Sequence, residues 1–233
     1  WTRLSWKMLA RRVKAVITVS NFSRDRLRFH LGIPEEKIHV IHNGVGTPFE
    51  PQSQMTIDLV KEKYGLRKPY FLFIGTDDPR KNLAGLVQAW ESLKLKSHTL
   101  FIAGATGKVF SEESGRETRP IQVYASDEEL PALYSGAAAV IVSSFYEGFG
   151  LTVLEAMACG APVIASDISV FRELFDEAAL FVNPLEPKEI ANAMLKIIED
   201  KSLAMKLRKK GLAHAAKCSW DEAARKTLDV IKL

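Results

Sequence analysis

Cysteine is scarce in this chain: there are two in 233 residues, Cys159 and Cys218. They stand far apart and lack metal or redox spacing, which excludes a disulfide scaffold and points to a reduced, cytoplasmic compartment. No apolar run is long enough to span a bilayer, and no secretory signal pattern is present. Dense interleaving of basic and aromatic residues is missing, so no nucleic-acid partner is expected. The net charge is only +4. That excess suits an anionic substrate or acidic lipid heads and demands neither. Internal repeats and low-complexity tracts are also absent.

Several familiar motifs fail on inspection. Gly104-Ala-Thr-Gly107-Lys108 has two residues between its glycines where a phosphate loop needs four, and Val109 where it needs Ser or Thr. It reads as a turn. Gly148-x-Gly150-x-x-Val153 misses the third glycine of the dinucleotide fingerprint, which weakens a dehydrogenase reading. The five histidines, His30, His39, His42, His98 and His214, have no Cys or carboxylate at ligand spacing and read as surface or packing residues. His42 alone adjoins a notable feature, the Asn43-Gly44 turn. Cys159 closes an apolar helix and reads as a small core residue. The basic run from Lys206 to Lys210 reads as a solvated helix face.

What is present is a regular alternation. Apolar content of 47% against 26% charged allows an ordinary packed core, and the length allows one domain plus part of a second. Short apolar strands are predicted at 15–19, 38–41, 70–74, 99–103, 121–124, 139–142, 162–165 and 180–182. Helical patterns fall at 3–14, 22–31, 57–64, 83–93, 127–136, 151–158 and 170–175. A helical tail ends in a capping box, Ser219-Trp-Asp-Glu222. This is the pattern of an α/β fold: a Rossmann-like parallel sheet with helices on both faces. Ligands then bind beyond the carboxyl ends of the strands. The chain opens inside a helical pattern with no start signal, so a fragment of a longer protein is expected.

Two segments carry chemistry. Between Glu147 and Asp167 the only charge is Glu155, inside an apolar run. Such a carboxylate is costly to bury unless it is paired or meets a ligand. Gly148 and Gly150 would let a ligand approach the backbone. A helix starting near Gly150 would turn its first amides into the same space, an arrangement that binds phosphate. In the second segment, the strand 70–74 runs into Gly75-Thr-Asp-Asp-Pro-Arg80-Lys81-Asn82. Asn82 is a good helix N-cap. Arg80 and Lys81 then oppose the helix dipole. Either a phosphate resolves that conflict, or Asp77 and Asp78 neutralise both cations on a solvated loop.

Four blocks in order, "AVITVSNFSRDRL…KIHVIHNGV", "GTDDPRKN", "SDEELPALYSGAAAVIVSS" and "SSFYEGFGLTVLEAMACGAPVIASD", together resemble the family-4 retaining glycosyltransferases of the GT-B fold. The likeness covers nearly the whole chain, and Glu147-x7-Glu155 is its most specific element. It implies the C-terminal half of a two-domain enzyme. Residues 1–49 resemble the end of the N-terminal, acceptor-side domain, and residues 50–233 the nucleotide-sugar-binding domain. The missing N-terminal domain would be the first partner, and the last helix would pack on it.

By the same resemblance Glu155 holds ribose hydroxyls, Glu147 lies near donor-sugar hydroxyls and Lys81 binds the diphosphate. The segment Gly148-Phe149-Gly150-Leu151-Thr152 forms the phosphate- and sugar-binding helix start. Many relatives have an arginine where Thr76 stands, beside Gly75, and Arg80 would supply that charge. Tyr124 lies close enough to help a base pocket. The family's active-site histidine matches none of the five here. The implied reaction moves a hexose from a nucleoside diphosphate sugar to a glycan or lipid-linked acceptor, with retention and without a metal. The "RKN" ending favours GDP-mannose over a UDP-hexose donor, as in mannosyltransferases of surface polysaccharide synthesis. Peripheral membrane contact through the basic helix 3–14 is compatible with a lipid-linked acceptor. Alternatives are a non-catalytic nucleotide-sugar-binding module, or a sugar-nucleotide epimerase of the same architecture.

Overall fold

The structure, a computed structural model, describes residues 2–104 and 119–232. The turn assigned to Gly104–Lys108 therefore lies mostly outside the described residues.

The chain begins with a small parallel pair. Helix α1 (Thr2–Arg12) leads into β1 (Val16–Thr18), α2 (Asn21–Leu31) and β2 (Ile38–Val40), and β1 pairs with β2. Ser20 caps α2 by accepting from the Ser23 amide, and Gly32 closes it at φ +66°. After α3 (Gln54–Lys63) comes the main sheet: β3 (Tyr70–Ile74), α4 (Leu83–Leu93), β4 (Thr99–Ala103), β5 (Ile121–Val123), α5 (Leu130–Gly136), β6 (Ala139–Val142), α6 (Leu151–Ala158), β7 (Val163–Ser166), α7 (Ser169–Phe175) and β8 (Leu180–Val182). Helices α8 (Pro187–Glu199), α9 (Lys201–Ala215) and α10 (Trp220–Ile231) complete the chain.

All pairings in the six-stranded sheet are parallel, in the order β5-β4-β3-β6-β7-β8. Renumbered from β3, that is 3-2-1-4-5-6, the doubly wound order. Alternate residues of β3 serve opposite faces, as a two-residue period requires. Tyr70 and Leu72 join a cluster with Leu133, Leu154, Met157 and Phe171 from α5, α6 and α7. Phe71 and Phe73 join another with Leu86, Trp90, Ile190 and Met194 from α4 and α8.

Two helix bounds depart from the sequence reading. Helix α3 starts at Gln54 rather than 57, because Ser53 accepts from the Thr56 amide and moves the cap upstream. Helix α5 starts at Leu130 rather than 127. The Glu129 carboxylate reaches back to the Ser126 amide at 3.1 Å and folds residues 126–129 into a turn. The capping box at α10 is also corrected. Ser219 accepts from Asp221, not from Glu222, and Glu222 pairs with Arg225 at 2.7 Å.

The segment joining the two sheets crosses the chain's end at close range. Val45 donates to the Cys218 carbonyl at 3.1 Å. A Cβ on Gly44 would lie 2.1 Å from the Trp220 backbone nitrogen, so only glycine fits there.

Candidate functional site

Strand order reverses between β3 and β6, and a crevice opens there beyond the carboxyl ends of the strands. The loops leaving these two strands are tied together. The Phe145 amide donates to the Arg80 carbonyl at 2.8 Å, and the Ser143 hydroxyl to the Lys81 carbonyl at 3.0 Å. Asn82 takes a left-handed conformation at φ +54° and caps α4 through Gly85, while its amide group donates to the Pro184 carbonyl at 2.7 Å.

This lacing brings Lys81 and Glu147 into contact, Nζ to Oε1 at 2.6 Å. The carboxylate also accepts from the Ser144 hydroxyl at 2.8 Å. Both side chains are largely sheltered, 26% and 15% exposed. Of the two alternatives for this loop, neutralisation by Asp77 and Asp78 holds for one cation, Arg80, through Asp78. Asp78 holds Arg80 through two nitrogens, at 2.7 and 3.1 Å, and the Arg80 side chain stays 61% exposed. Lys81 instead goes to a carboxylate 66 residues away.

Helix α6 begins opposite. Gly150 is its N-cap at φ +106°, and a Cβ there would meet the Phe171 ring at 2.6 Å. Leu151 and Thr152 are its first two residues, whose amides have no carbonyl to receive them within the helix. They line a cavity of about 270 Å³ together with Lys81, Glu147, Phe149 and Asn43. The cavity thus gathers a cation, a carboxylate and a helix start, and Glu155 is not among the residues that line it. Gly75 borders the same place: a Cβ on it would lie 3.8 Å from Lys81 Cγ. Thr76 is exposed, and its hydroxyl accepts weakly from the Asp78 amide at 3.4 Å.

Glu155 follows one turn inside α6. Its Oε2 accepts from the Tyr134 hydroxyl at 2.8 Å. Burial pushes its pKa up, the Tyr134 bond partly opposes that, and Asp127 adds a like charge. Among the described residues no cation pairs with it. It is a carboxylate held by one hydroxyl, with capacity to accept more. Tyr124 follows the end of β5 and is 81% exposed.

Three contributions escaped the sequence reading. The sequence marks Asn43 only as half of a turn. Ser144 lies beyond the strand predicted at 139–142 and carries no signal of its own. The third comes from α2. The Ser20 hydroxyl donates to the Gly148 carbonyl at 2.7 Å. From the other side Glu173 of α7 accepts from the Asn21 and Phe22 amides at 2.7 and 2.8 Å. Ser20 stands just ahead of the helical pattern at 22–31, and no local pattern marks its reach across 128 residues to Gly148.

The family model "Glycosyl transferases group 1" matches residues 56–214, and "Glycosyltransferase Family 4" matches residues 1–48. This chain belongs to the group 1 glycosyltransferases. The O-antigen chain mannosyltransferase B of Escherichia coli is 34% identical over 231 residues, covering 94% of this chain and 61% of that protein. The O-antigen chain mannosyltransferase RfbU of Salmonella typhimurium is 32% identical over 203 residues, covering 84% of this chain and 54% of that protein. The glycosyltransferase chain thus spans little more than half the length of these relatives. Among solved structures, Anabaena HepE in complex with UDP and glucose superposes with a TM-score of 0.85 at 20% identity, covering 99% of this chain and 66% of that one. WaaG, a glycosyltransferase involved in lipopolysaccharide biosynthesis, superposes with a TM-score of 0.79 at 17% identity, covering 92% and 62%. The fold is the C-terminal half of a GT-B glycosyltransferase. Among the described residues no helix is long and apolar enough to cross a membrane.

Proposed function

We propose that this chain carries the donor site of a retaining mannosyltransferase. The enzyme moves mannose from GDP-mannose to a hydroxyl of a growing surface glycan. The observation that carries the reading is the Lys81–Glu147 pair, set at the switch point of a doubly wound sheet and facing the start of α6. A nucleoside diphosphate sugar asks for that combination: fixed positive potential for the diphosphate and carboxylates for the hydroxyls.

In this reading the leaving diphosphate gathers charge as the sugar departs. Lys81, the amides of Leu151 and Thr152, and Arg80 at the rim meet that charge without reorganising, the electrostatic effect that dominates much of enzyme catalysis. Glu147 aligns the sugar hydroxyls, with Ser144 fixing its orientation. Glu155 takes the ribose hydroxyls with the acceptor capacity that its Tyr134 bond leaves over. No metal or other cofactor enters the scheme. The names of the mannosyltransferase relatives support mannose; the sugar bound by HepE supports only the general class. Residues 1–49 belong to the acceptor-side domain, and the remainder of that domain completes the groove. The compartment is cytoplasmic, with peripheral contact at the membrane's inner face where the acceptor is lipid-linked.

The test is a thermal-shift panel of sugar nucleotides on this chain, followed by transfer assays in a protein carrying both domains. GDP-mannose should raise the melting temperature more than UDP-glucose, and Glu147→Ala should abolish transfer. Binding with no transfer by the two-domain protein would support a non-catalytic module. Free diphosphate with an altered sugar would support an epimerase.

A further inference from the structure

A second cavity, of about 280 Å³, lies against Glu147 and is lined by a different set of residues from the first. Phe22 and Arg26 of α2, Phe145 and Tyr146 of the β6 loop, and Asp167 and Ser169 at the start of α7 form most of its wall. Glu147 belongs to both cavities, so their occupants would meet at that carboxylate.

The lining is unusual for a surface that serves no ligand. Phe145 and Tyr146 stand side by side with 42% and 45% of their surface open. Adjacent open aromatics are a feature a soluble surface ordinarily avoids. The Tyr146 ring packs against Phe22, centroids 5.5 Å apart at 57°. The Arg26 guanidinium lies 5.0 Å over the Phe22 ring and forms no carboxylate pair among the described residues. Asp167 is held by Arg172 at 2.6 and 2.7 Å, which fixes its direction. The site therefore offers flat apolar faces beside fixed donors and acceptors. Sugar rings present the complement: C–H faces that pack on aromatic faces, and a rim of hydroxyls. Two carboxylates in the wall, Glu147 and Asp167, oppose an anionic occupant.

We propose that this second cavity is an acceptor subsite, holding the terminal sugar of the glycan that receives the transferred hexose. The proposal rests on the donor reading of the first cavity and deepens it. Tyr146, backed by Phe22, would stack on the acceptor ring, and Arg26 with Ser169 would hold its hydroxyls. The acceptor would thus be gripped partly by this half of the enzyme, with α2 and the β6 loop as its two sides.

The experiment is saturation-transfer NMR on this chain, saturated with GDP so that the first cavity is filled, using mannotriose at millimolar concentration as the probe. Transfer to the sugar-ring protons is expected. A ring contact of this kind contributes about 0.5–1.5 kcal/mol, or a factor of about 2 to 12, so Tyr146→Ala should weaken mannotriose by that factor. Arg26→Gln, an exposed change that leaves folding intact, should weaken it in the same direction. GDP affinity should stay within about twofold in both variants, since neither side chain lines the first cavity. GDP binding with no mannotriose signal, or a signal undiminished in both variants, would overturn the subsite and leave the donor reading standing. Displacement of mannotriose by inorganic pyrophosphate with GDP still bound would also overturn it. Failure of GDP itself to bind would remove the donor reading first.

Discussion

Lys81→Ala separates the phosphate role of that lysine from a merely structural one. The ammonium contacts Glu147 at 2.6 Å, and the two side chains are 26% and 15% exposed. Breaking an exposed pair costs about 0–1 kcal/mol and breaking a buried one about 3–5. This pair lies between, and Glu147 keeps its bond from Ser144. A stability loss of about 1–2 kcal/mol is therefore expected, too little to unfold a domain of ordinary stability. The effect on ligand is larger. A hydrogen bond to a charged group contributes about 1.5–3 kcal/mol, which predicts a loss of about 12- to 150-fold in GDP affinity. Guanosine, with no phosphate to reach, should bind wild type and variant alike. Isothermal titration of both ligands against both proteins gives the four numbers. Arg80→Ala is the internal comparison. Its side chain is 61% exposed and already engaged by Asp78, so its loss should stay below about fivefold. Equal losses for GDP and guanosine in Lys81→Ala would refute the phosphate role.

Glu155→Gln should raise the melting temperature of the ligand-free chain at neutral pH. Its folded pKa lies above the unfolded one, so ionisation costs stability as pH rises through that interval, and the gain should vanish in acid. The same variant should weaken GDP more than 2′,3′-dideoxy-GDP, and unchanged discrimination would make Glu155 purely structural. Glu129 has the opposite sign. Its hydrogen bonds from Lys63 and Tyr64 hold its pKa down from 4.5 to about 2. Its contribution is present at neutral pH and lost as pH falls through that range, so Glu129→Gln should flatten acid unfolding followed by circular dichroism. Gly150→Ala combines a positive φ with a Cβ 2.6 Å from the Phe171 ring. Strain and overpacking together should cost about 2–6 kcal/mol in urea unfolding, and a loss under about 1 kcal/mol would contradict the close approach.

Much of this architecture was legible because local and global signals agree. Tyr70–Ile74 and Thr99–Ala103 are uninterrupted apolar runs bounded by breakers, and both strands fall where the pattern put them. Gly150 before Leu151 marked the start of α6 for the same reason. The bounds of α3 and α5 were missed because single side chains, Ser53 and Glu129, decide them through bonds that periodicity does not register. Lys81 and Glu147 could each be suspected from local charge arguments. Their contact could not, since it depends on which strands become neighbours, and β3 beside β6 is a fact of topology. Asn43 and Ser20 were hidden by having a sufficient local explanation, a turn and a cap. Asn43 also lines the first cavity, and Ser20 also reaches Gly148.

The first turn of α2 draws its counter-charge from across the groove. Glu173 clasps the Asn21 and Phe22 amides, and the Ser20 hydroxyl clasps the Gly148 carbonyl, so α2 is buttoned to the second domain at two points. The second button lies one residue from carboxylate 147, the wall that both cavities share.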